Sequence, residues 1–508
     1  MDIIVVGGGP VGLMTAALLD AAGVTVEVFE QGNGPSDQSR GSTMHPRTLE
    51  VLSMLSDEQG ERVSDVLLAQ GRQVPRTHYA ALPTLLDYRD LDTPYPFVLM
   101  ISQWRTERAL AAHARARGIP VRYGVRVTDI EQSADEVRVR AGSDWHTARY
   151  VIGADGAHST VRRAAGIDFP GTPPDELGFV ADVRMSKPVN EARHYWSAEE
   201  GRVSVVPLTD TTTRVFGATP ADVGLTPEQV RQRQAEPLTL AEVTDSLRAI
   251  TGTDFGVSEA SWLSKASNSS RHAVTYRSGR ALLVGDAAHV HLPAGGQGLN
   301  VGLQDATNLA WKLAAEIHGW APGRLVTGDA SYEAERLPVA ARLVADTRAQ
   351  NVLMRTFSPG GAALRDLFDG FIARRGEVAE QLSGWLSGLD LAYPRPDGAH
   401  PLVGRRAPDL ALARGRLLRA VRPDRFLLLD LTPDAALAAV ESDRVSVRQA
   451  PAPSGPHRAD WAGVLAALIR PDGYIAHATT SADGLIDTVA DAIAEWTQPD
   501  HATAARGL

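Results

Sequence analysis

The first apolar run of the chain, Ile3-Ile4-Val5-Val6, is short and unbroken by polar residues. A run without alternation reads as a strand buried on both faces of a parallel sheet. Gly7-Gly8-Gly9-Pro10-Val11-Gly12 follows, then a helix-like run to Ala22, then a second strand from Val24 to Phe29 that ends on Glu30. Farther on, Phe97 to Ile101 reads as a buried strand, with Ser102 capping a helix that ends near Gly118. Val121 to Val127 is another strand, and Asp135 to Arg140 alternates as a half-buried hairpin strand. Tyr150 to Gly153 and Ala281 to Val284 are again short buried strands, the first running into Asp155-Gly156 and the second into Gly285-Asp286. After the loop His291 to Gly298, the residues Leu299, Leu303, Ala306, Ala310, Leu313 and Ile317 step by four and three, which predicts an amphipathic helix from Leu299.

Between Gly171 and Ala260 the pattern changes. Alternating segments at Phe179 to Val183, Arg202 to Pro207 and Thr213 to Gly217, with a helical stretch from Thr226 to Ile250, predict a mostly antiparallel lobe that could roof a pocket. Residues 73–96, with four prolines, look inserted. Pro338 to Gly384 is helical with an interruption at Pro359-Gly360-Gly361, and Pro394 to Pro408 has the composition of a linker. Past it, strands at Phe426 to Asp430, Val445 to Val447, Leu465 to Arg470 and Tyr474 to Ala476, with a helix from Leu485 to Trp496, form a compact α/β unit.

Composition narrows the classes of function. A chain of 508 residues has room for several domains, and 44% hydrophobic with 22% charged residues is the balance of a globular protein. A net charge of −10 gives no basic face for nucleic acid. The absence of cysteine excludes disulfides, thiolate catalysis, zinc–thiolate sites and iron–sulfur clusters. No apolar run approaches the ~20 residues that span a bilayer. With no cationic leader before the first strand, the expectation is a cytoplasmic protein bound to neither membrane nor nucleic acid.

The candidate chemistry begins at the first glycines. Gly7 permits a tight turn, Gly9 lets a pyrophosphate approach the backbone, and Gly12 lets helix pack on strand. The helix opened by Pro10 and Val11 offers unpaired N–H groups to an anion. Glu30 can accept hydrogen bonds from ribose hydroxyls, with Gln31 beside it. A bare glycine turn is the competing reading, and the strand–turn–helix–strand context favours the dinucleotide. Arg40 and Arg47 could face phosphate or a charged ring, although Arg47 could as well open a solvated helix. Asp155 stands at the carboxyl edge of a strand, where ligands bind in such sheets, but Asp-Gly is also an ordinary turn. His289 and His291 lack a third ligand at metal spacing, so no metal is expected. Trp196, Val205 and Phe216 are candidates for a pocket wall, with core packing as the alternative for each.

Together the three glycine-and-acid motifs resemble the class A flavoprotein monooxygenases, relatives of para-hydroxybenzoate hydroxylase. The stretch Gly285-Asp286-Ala287-Ala288-His289 through Gly295-Gly296-Gln297-Gly298-Leu299-Asn300 to Asp305-Ala306 carries the most specific match. The tail, Gly404-Arg405-Arg406-Ala407-Pro408-Asp409 and Arg470-Pro471-Asp472-Gly473, is similar to the branch that hydroxylates phenols, aromatic polyketides and rifampicin-like antibiotics.

The resemblance implies an α/β fold. Residues 1–72, 97–170 and 265–390 would form a Rossmann-like FAD-binding domain (GR2-type), with bridging helices. Residues 73–96 and 171–264 would form an inserted α+β substrate domain, and 400–500 a thioredoxin-like C-terminal domain. It also implies non-covalent FAD. Gly7, Gly9, Pro10, Val11 and Gly12 would seat the pyrophosphate, with Glu30 and Gln31 at the adenosine ribose and Val127 at adenine. Arg40 and Gln103 would lie along the pyrophosphate and flavin. Asp155 would lie near the phosphate end, Asp286 on the ribityl or pyrophosphate part, and Pro293, Gly295, Gly298, Leu299 and Asn300 along the isoalloxazine ring.

NADPH or NADH would be the transient reductant, with dioxygen and an aromatic small molecule as co-substrates and a flavin C4a-hydroperoxide as the oxygen donor. Baeyer–Villiger oxygenation, epoxidation and oxidative rearrangement by the same chemistry remain alternatives, as does a non-catalytic flavin-binding protein. No single residue is marked as the general base; His45, His78 and His291 stay unranked, and the oligomeric state is open, a homodimer included.

Overall fold

The computed structural model describes residues 1–37, 41–453 and 457–499. β1 (Ile3–Val6) is buried along its whole length and runs into α1 (Pro10–Ala21), which returns to β2 (Val26–Phe29), parallel to β1 in the register Ile3↔Val26. After α2 (Pro46–Leu52) and α3 (Gln103–Ala116), β3 (Val121–Arg122) adds beside β2. β4 (Tyr150–Gly153) then lands on the other side of β1 and leads to α4 (Thr160–Ala164). The strand order therefore reverses about β1, and a crevice opens outside the carboxyl ends of β1 and β4.

The chain next builds a five-stranded antiparallel sheet from β5 (Leu177–Met185), β6 (Arg193–Ser197), β7 (Gly201–Pro207), β8 (Thr213–Ala218) and β9 (Val257–Ser267), in the order β6-β7-β8-β5-β9. The helical stretch after β8 is two helices, α5 (Pro227–Ala235) and α6 (Leu240–Thr251). Each is opened by its own capping box, Thr226 with Gln229 and Thr239 with Glu242, and the segment between carries Pro237. Val243 and Leu247 of α6 pack on Val203, Val205 and Val215, which closes one face of the sheet.

β10 (Arg277–Ser278) and β11 (Ala281–Leu283) complete the first sheet, giving the order β10-β11-β4-β1-β2-β3. α7 (Gln297–Ile317) is buried nearly all round and lies against α1. It begins two residues before the expected Leu299, because Gly296 takes a left-handed conformation and turns the chain into the helix there. α8 (Tyr332–Arg355) starts at the Ser331 cap and runs through Pro338, so that proline does not open the helix; α9 (Pro359–Ala373) and α10 (Glu377–Ser387) follow.

The C-terminal unit is a sheet of β12 (Phe426–Asp430), β13 (Val445–Gln449), β14 (Ala466–Ile469) and β15 (Ile475–Thr479) with α11 (Leu485–Thr497). Its order is β13-β12-β14-β15, with only the β12–β13 pair parallel. The proline-rich segment before it is more than a linker, since Leu402 and Ala407 enter the main core and Gly404 bonds to Ile475. Phe426 and Leu428 share a cluster with Trp311 of α7, so this unit is docked on the first domain rather than tethered to it. No helix among the described residues is long and apolar enough to cross a membrane.

Candidate functional site

Four adjacent parallel strands, β11, β4, β1 and β2, deliver Asp286, Asp155, Gly7 and Glu30 to one edge of the sheet. Gly7 has φ +110°, and a Cβ there would sit 2.3 Å from the Ala154 carbonyl oxygen. A Cβ on Gly12 would sit 2.0 Å from the Gly7 carbonyl oxygen, so this glycine is required by helix–strand packing. Gly9 differs, because its Cβ position meets nothing within 4 Å. It leaves the open approach that a pyrophosphate needs, over the N-terminus of α1. Pro10 occupies the first helical position, where no N–H is needed, and Val11 packs under Gly285.

The Glu30 carboxylate accepts from the amides of Gly8 and Gly32, each at 2.6 Å, with lone pairs left for hydroxyl donors. Gln31 is exposed beside it, and the Val125 amide bonds to the Glu30 carbonyl, which brings the buried Val127 strand alongside. Gln103 opens α3 and exchanges bonds with Gly41 through its amide and its side-chain oxygen. Arg40 lies outside the described residues.

One Asp155 oxygen accepts from the Thr160 and Val161 amides and so caps α4. The other oxygen is buried without a partner among the described residues, which calls for a donor from a ligand hydroxyl. Asp286 is exposed, and no hydrogen bond or ion pair of its carboxylate is found among the described residues, although its charge acts on His291. Its turn is held from behind by Asp305, which takes the Gly285 amide, His289 Nε2 at 2.7 Å and Arg336 Nε at 2.7 Å. Burial alone would raise the Asp305 pKa, but Arg336 and His289 hold it below the carboxylate range. His289 is thus spent on Asp305 and His291 Nδ1 on the Leu292 carbonyl, and no group of metal ligands exists among the described residues.

The loop from Pro293 ends in two left-handed glycines, Gly295 and Gly296. A Cβ on Gly296 would fall 1.7 Å from Thr43 Oγ1 and one on Gly298 2.8 Å from His291 Nε2. Gly298 and Leu299 lie in the first turn of α7, whose N–H groups have no intrahelical acceptors. The Asn300 side chain ties this loop to the strand before α2, accepting from the His45 amide and donating to the Thr43 and Gly296 carbonyls. His45 is buried, which lowers its pKa to about 4, and its Nε2 meets the Gly295 carbonyl at 2.8 Å. A carbonyl only accepts, so the proton sits on Nε2, and Nδ1 is left to accept from the Tyr88 hydroxyl at 3.4 Å. Arg47, two residues on, neither faces phosphate nor is solvated. It is fully buried between Glu50 and the Asp472 carbonyl, with its guanidinium over Tyr474, and belongs to the contact with the C-terminal unit.

Strand register settles the pocket wall. Val205 pairs with Val215, and both point toward α6, so Val205 is core and not wall. Phe216 pairs with Ser204 on the opposite face, where it is half-buried against a buried cluster that includes Val206, Tyr79, Tyr88, Leu292 and Trp385. Trp196 shares that face, but its indole N–H donates to the Met354 carbonyl and its ring lies beside Phe357 and Arg365. His78 and His194 meet edge to face at 4.3 Å, and burial holds both rings neutral, His78 near pKa 4. Arg336 and Tyr88 carry weight here that no local pattern announced, because each acts through a partner distant in sequence, Asp305 and His45.

The FAD binding domain family model matches residues 1–347, and the C-terminal domain of the aromatic-ring hydroxylases matches residues 400–499. The chain is 39% identical to the rifampicin monooxygenase of Streptomyces venezuelae, over 93% of this chain and 94% of that protein. The solved structure of the anhydrotetracycline hydroxylase OxyS from Streptomyces rimosus superposes with a TM-score of 0.84 at 37% identity, covering 98% of this chain and 99% of that one. The Diels-Alderase PyrE3 of pyrroindomycin biosynthesis superposes at 0.81 with 32% identity, covering 98% and 100%.

Proposed function

The chain belongs to the FAD-dependent aromatic-ring monooxygenases, and from that membership we propose that it uses NADPH or NADH and dioxygen to hydroxylate a phenolic or polyketide-type aromatic small molecule. The observation that carries this reading is the meeting of three groups at one crevice. They are the open Gly9 turn, the acids Asp155, with one oxygen free, and Asp286, and the glycine loop over α7, whose Leu292 and Ala294 meet the aromatic cluster of the second sheet. The first two fit a bound FAD, and the third fits a flat apolar ring beneath an aromatic substrate.

Bound FAD, reduced by the nicotinamide, supplies the oxygen-transferring chemistry. The protein's share is placement. The N-terminus of α1 and the bare Gly9 backbone receive the pyrophosphate. Glu30 would accept from ribose hydroxyls, Asp286 from hydroxyls along the ribityl chain, and the free oxygen of Asp155 from a cofactor hydroxyl toward the phosphate end. First-turn N–H groups of α7 stabilise negative charge at the ring end. His45, through its Nε2 proton, fixes the Gly295 carbonyl, and Asn300 fixes the loop's far side. Phe216, Val206, Leu292 and Trp385 exclude water from the reacting ring. The order β13-β12-β14-β15 supports reading the C-terminal unit as thioredoxin-like; having no cysteine, it acts by contact.

The deciding experiment records the visible spectrum of the purified protein and then follows NADPH, NADH and oxygen consumption with a panel of phenols and polyketides. A yellow protein whose nicotinamide oxidation rises with an aromatic compound, with one atom from labelled dioxygen in the product, is expected. The superposition on a Diels-Alderase makes nicotinamide dependence the sharp criterion. Product formed without nicotinamide or oxygen would overturn the proposal.

A further inference from the structure

Eight arginines are buried among the described residues: Arg47, Arg162, Arg202, Arg214, Arg336, Arg355, Arg365 and Arg470. Seven of them donate to named acceptors: Arg47 to Glu50, Arg162 to Ala287, Arg214 to Asp182, Arg336 to Asp305, Arg355 to Leu177, Arg365 to Leu353 and Arg470 to Glu335. Arg202 is the exception. It is 8% exposed, its Nε is buried without a partner, and its side chain makes neither a hydrogen bond nor an ion pair with any described residue. A buried cation left in this state is costly, and proteins pair such charges.

Its position gives the missing partner a direction. Arg202 lies on β7 opposite Trp196, and alternation along the strand puts it with Ser204 and Val206 on the face that carries Phe216. Its charged surroundings are mostly positive: burial lowers its pKa to about 9, Arg355 and Arg365 push the same way, and Glu176 is the one acid that opposes them. Arg355 and Arg365 are already committed to backbone carbonyls, and Glu176 is engaged by Asn351 at 2.7 Å and by Arg355 at 3.6 Å. His78 and His194, neutral, stand between Arg202 and the His45 end of the face.

We propose that Arg202 is an anion-recognition site on the substrate face, taking a planar two-oxygen anion of the aromatic substrate, either a carboxylate or the vinylogous carboxylate of an ionised 1,3-diketone. The guanidinium fork matches both oxygens of such a group, which a neutral phenol cannot offer. The anion would be held by β7 rather than by the glycine loop, so it orients the substrate rather than reacting. The inference rests on the proposed aromatic substrate, and its test separates the two.

Calorimetry on the FAD-loaded enzyme compares 6-hydroxy-2-naphthoic acid with its methyl ester, and 2-acetylcyclohexane-1,3-dione with its enol methyl ether. At least one anion should bind about 10- to 100-fold more tightly than its neutral partner, and Arg202→Gln should erase that preference while Arg202→Lys keeps part of it. The pair that shows the preference identifies which anion is taken. No preference in either pair, or a preference that survives Arg202→Gln, overturns the inference. Melting of Arg202→Met adds an independent check: removing an unpaired buried charge should leave Tm unchanged or raise it, whereas a fall would mark Arg202 as a structural tie. Failure of every aromatic compound to stimulate nicotinamide oxidation would count against the function proposed above, and would leave these binding results standing.

Discussion

His45 Nε2 lies 2.8 Å from the carbonyl oxygen of Gly295, a contact between residues 250 positions apart that fixes the glycine loop from below. Burial lowers the His45 pKa to about 4 from an ordinary value near 6.5, and the ring is neutral in the fold. The folded chain thus binds fewer protons here than the unfolded one. The stabilisation is complete above pH 6.5 and is lost as the pH falls toward 4, a change of about 3 kcal/mol over that window. Melting curves at pH 7 and pH 5 should show the loss, and His45→Gln should flatten part of it. The remainder is shared by the other buried histidines, His78 and His194 among them, which burial lowers in the same direction. An unaltered pH dependence in His45→Gln would show that the ring is not buried neutral.

Gly9 and Gly12 separate ligand from fold. A Cβ at Gly9 meets nothing within 4 Å, and its φ of −70° suits any residue, so Gly9→Ala should keep the apoprotein's Tm while weakening FAD binding at least about tenfold. A Cβ at Gly12 would stand 2.0 Å from the Gly7 carbonyl oxygen, so Gly12→Ala should destabilise the apoprotein itself, by about 1–3 kcal/mol or more. Flavin titration and thermal melting of both variants check the contrast. Equal effects on both readouts would remove Gly9 from the cofactor site.

Asp286→Ala tests the ribityl end in the same way. The side chain is exposed and makes no hydrogen bond or ion pair among the described residues, so its removal should cost the fold within about 0.5 kcal/mol. Flavin retention through gel filtration should fall sharply. Full FAD content in a folded Asp286→Ala protein would refute the assignment.

How far the sequence could be read depended on the range of each interaction. Gly12 owes its role to Gly7, five positions back, and Gly9 to open space above its own turn, so spacing exposed them, whereas the close neighbour of Gly7 is the Ala154 carbonyl on a distant strand. Alternation marked both β7 and β8 as two-faced strands, yet parity says nothing about which face meets which layer. Only the pairing Val205↔Val215 beside Ser204↔Phe216 shows that Val205 and Phe216 point in opposite directions. Asn300 and Arg47 were equally opaque. Asn300 answers to His45, 255 positions away, and Arg47 to Asp472, 425 positions away, and no local pattern encodes such partners.

That difference of face is measurable. Val205→Ala removes packing against Val243 and Leu247 and should cost about 1–3 kcal/mol of stability with KM unchanged. Phe216→Ala opens the aromatic cluster at Tyr88 and Leu292, and should raise KM and uncouple nicotinamide oxidation from product. Identical kinetic effects of the two substitutions would contradict the register.

The last prediction concerns the contact with the C-terminal unit. Glu335 of α8 accepts from Lys312 Nζ of α7 at 2.6 Å and from both terminal nitrogens of Arg470, at 2.6 and 2.8 Å, while Arg470 also reaches Asp472. All four side chains are buried, and Arg470 and Asp472 come from the far unit. Burial would raise the Glu335 pKa, but Arg470 and Lys312 overcome it and hold it near 2. Glu335→Gln keeps the size and removes the charge, leaving Lys312 short of an acid and Arg470 with Asp472 alone. Stranding a buried cation costs on the order of 3–5 kcal/mol, so this conservative change should be severe. The damage should reach the flavin loop, because the Asp472 carbonyl also holds Arg47 at the start of α2, two residues from His45. Limited proteolysis should then cut the segment between residues 394 and 408 in Glu335→Gln while leaving the wild type intact, and flavin affinity should fall with it. Glu335→Met together with Lys312→Met, Arg470→Met and Asp472→Asn, which removes all four charges of the cluster at once, should recover part of the stability. If the quadruple variant were no more stable than Glu335→Gln, the cost would lie in lost hydrogen bonds rather than in stranded charge.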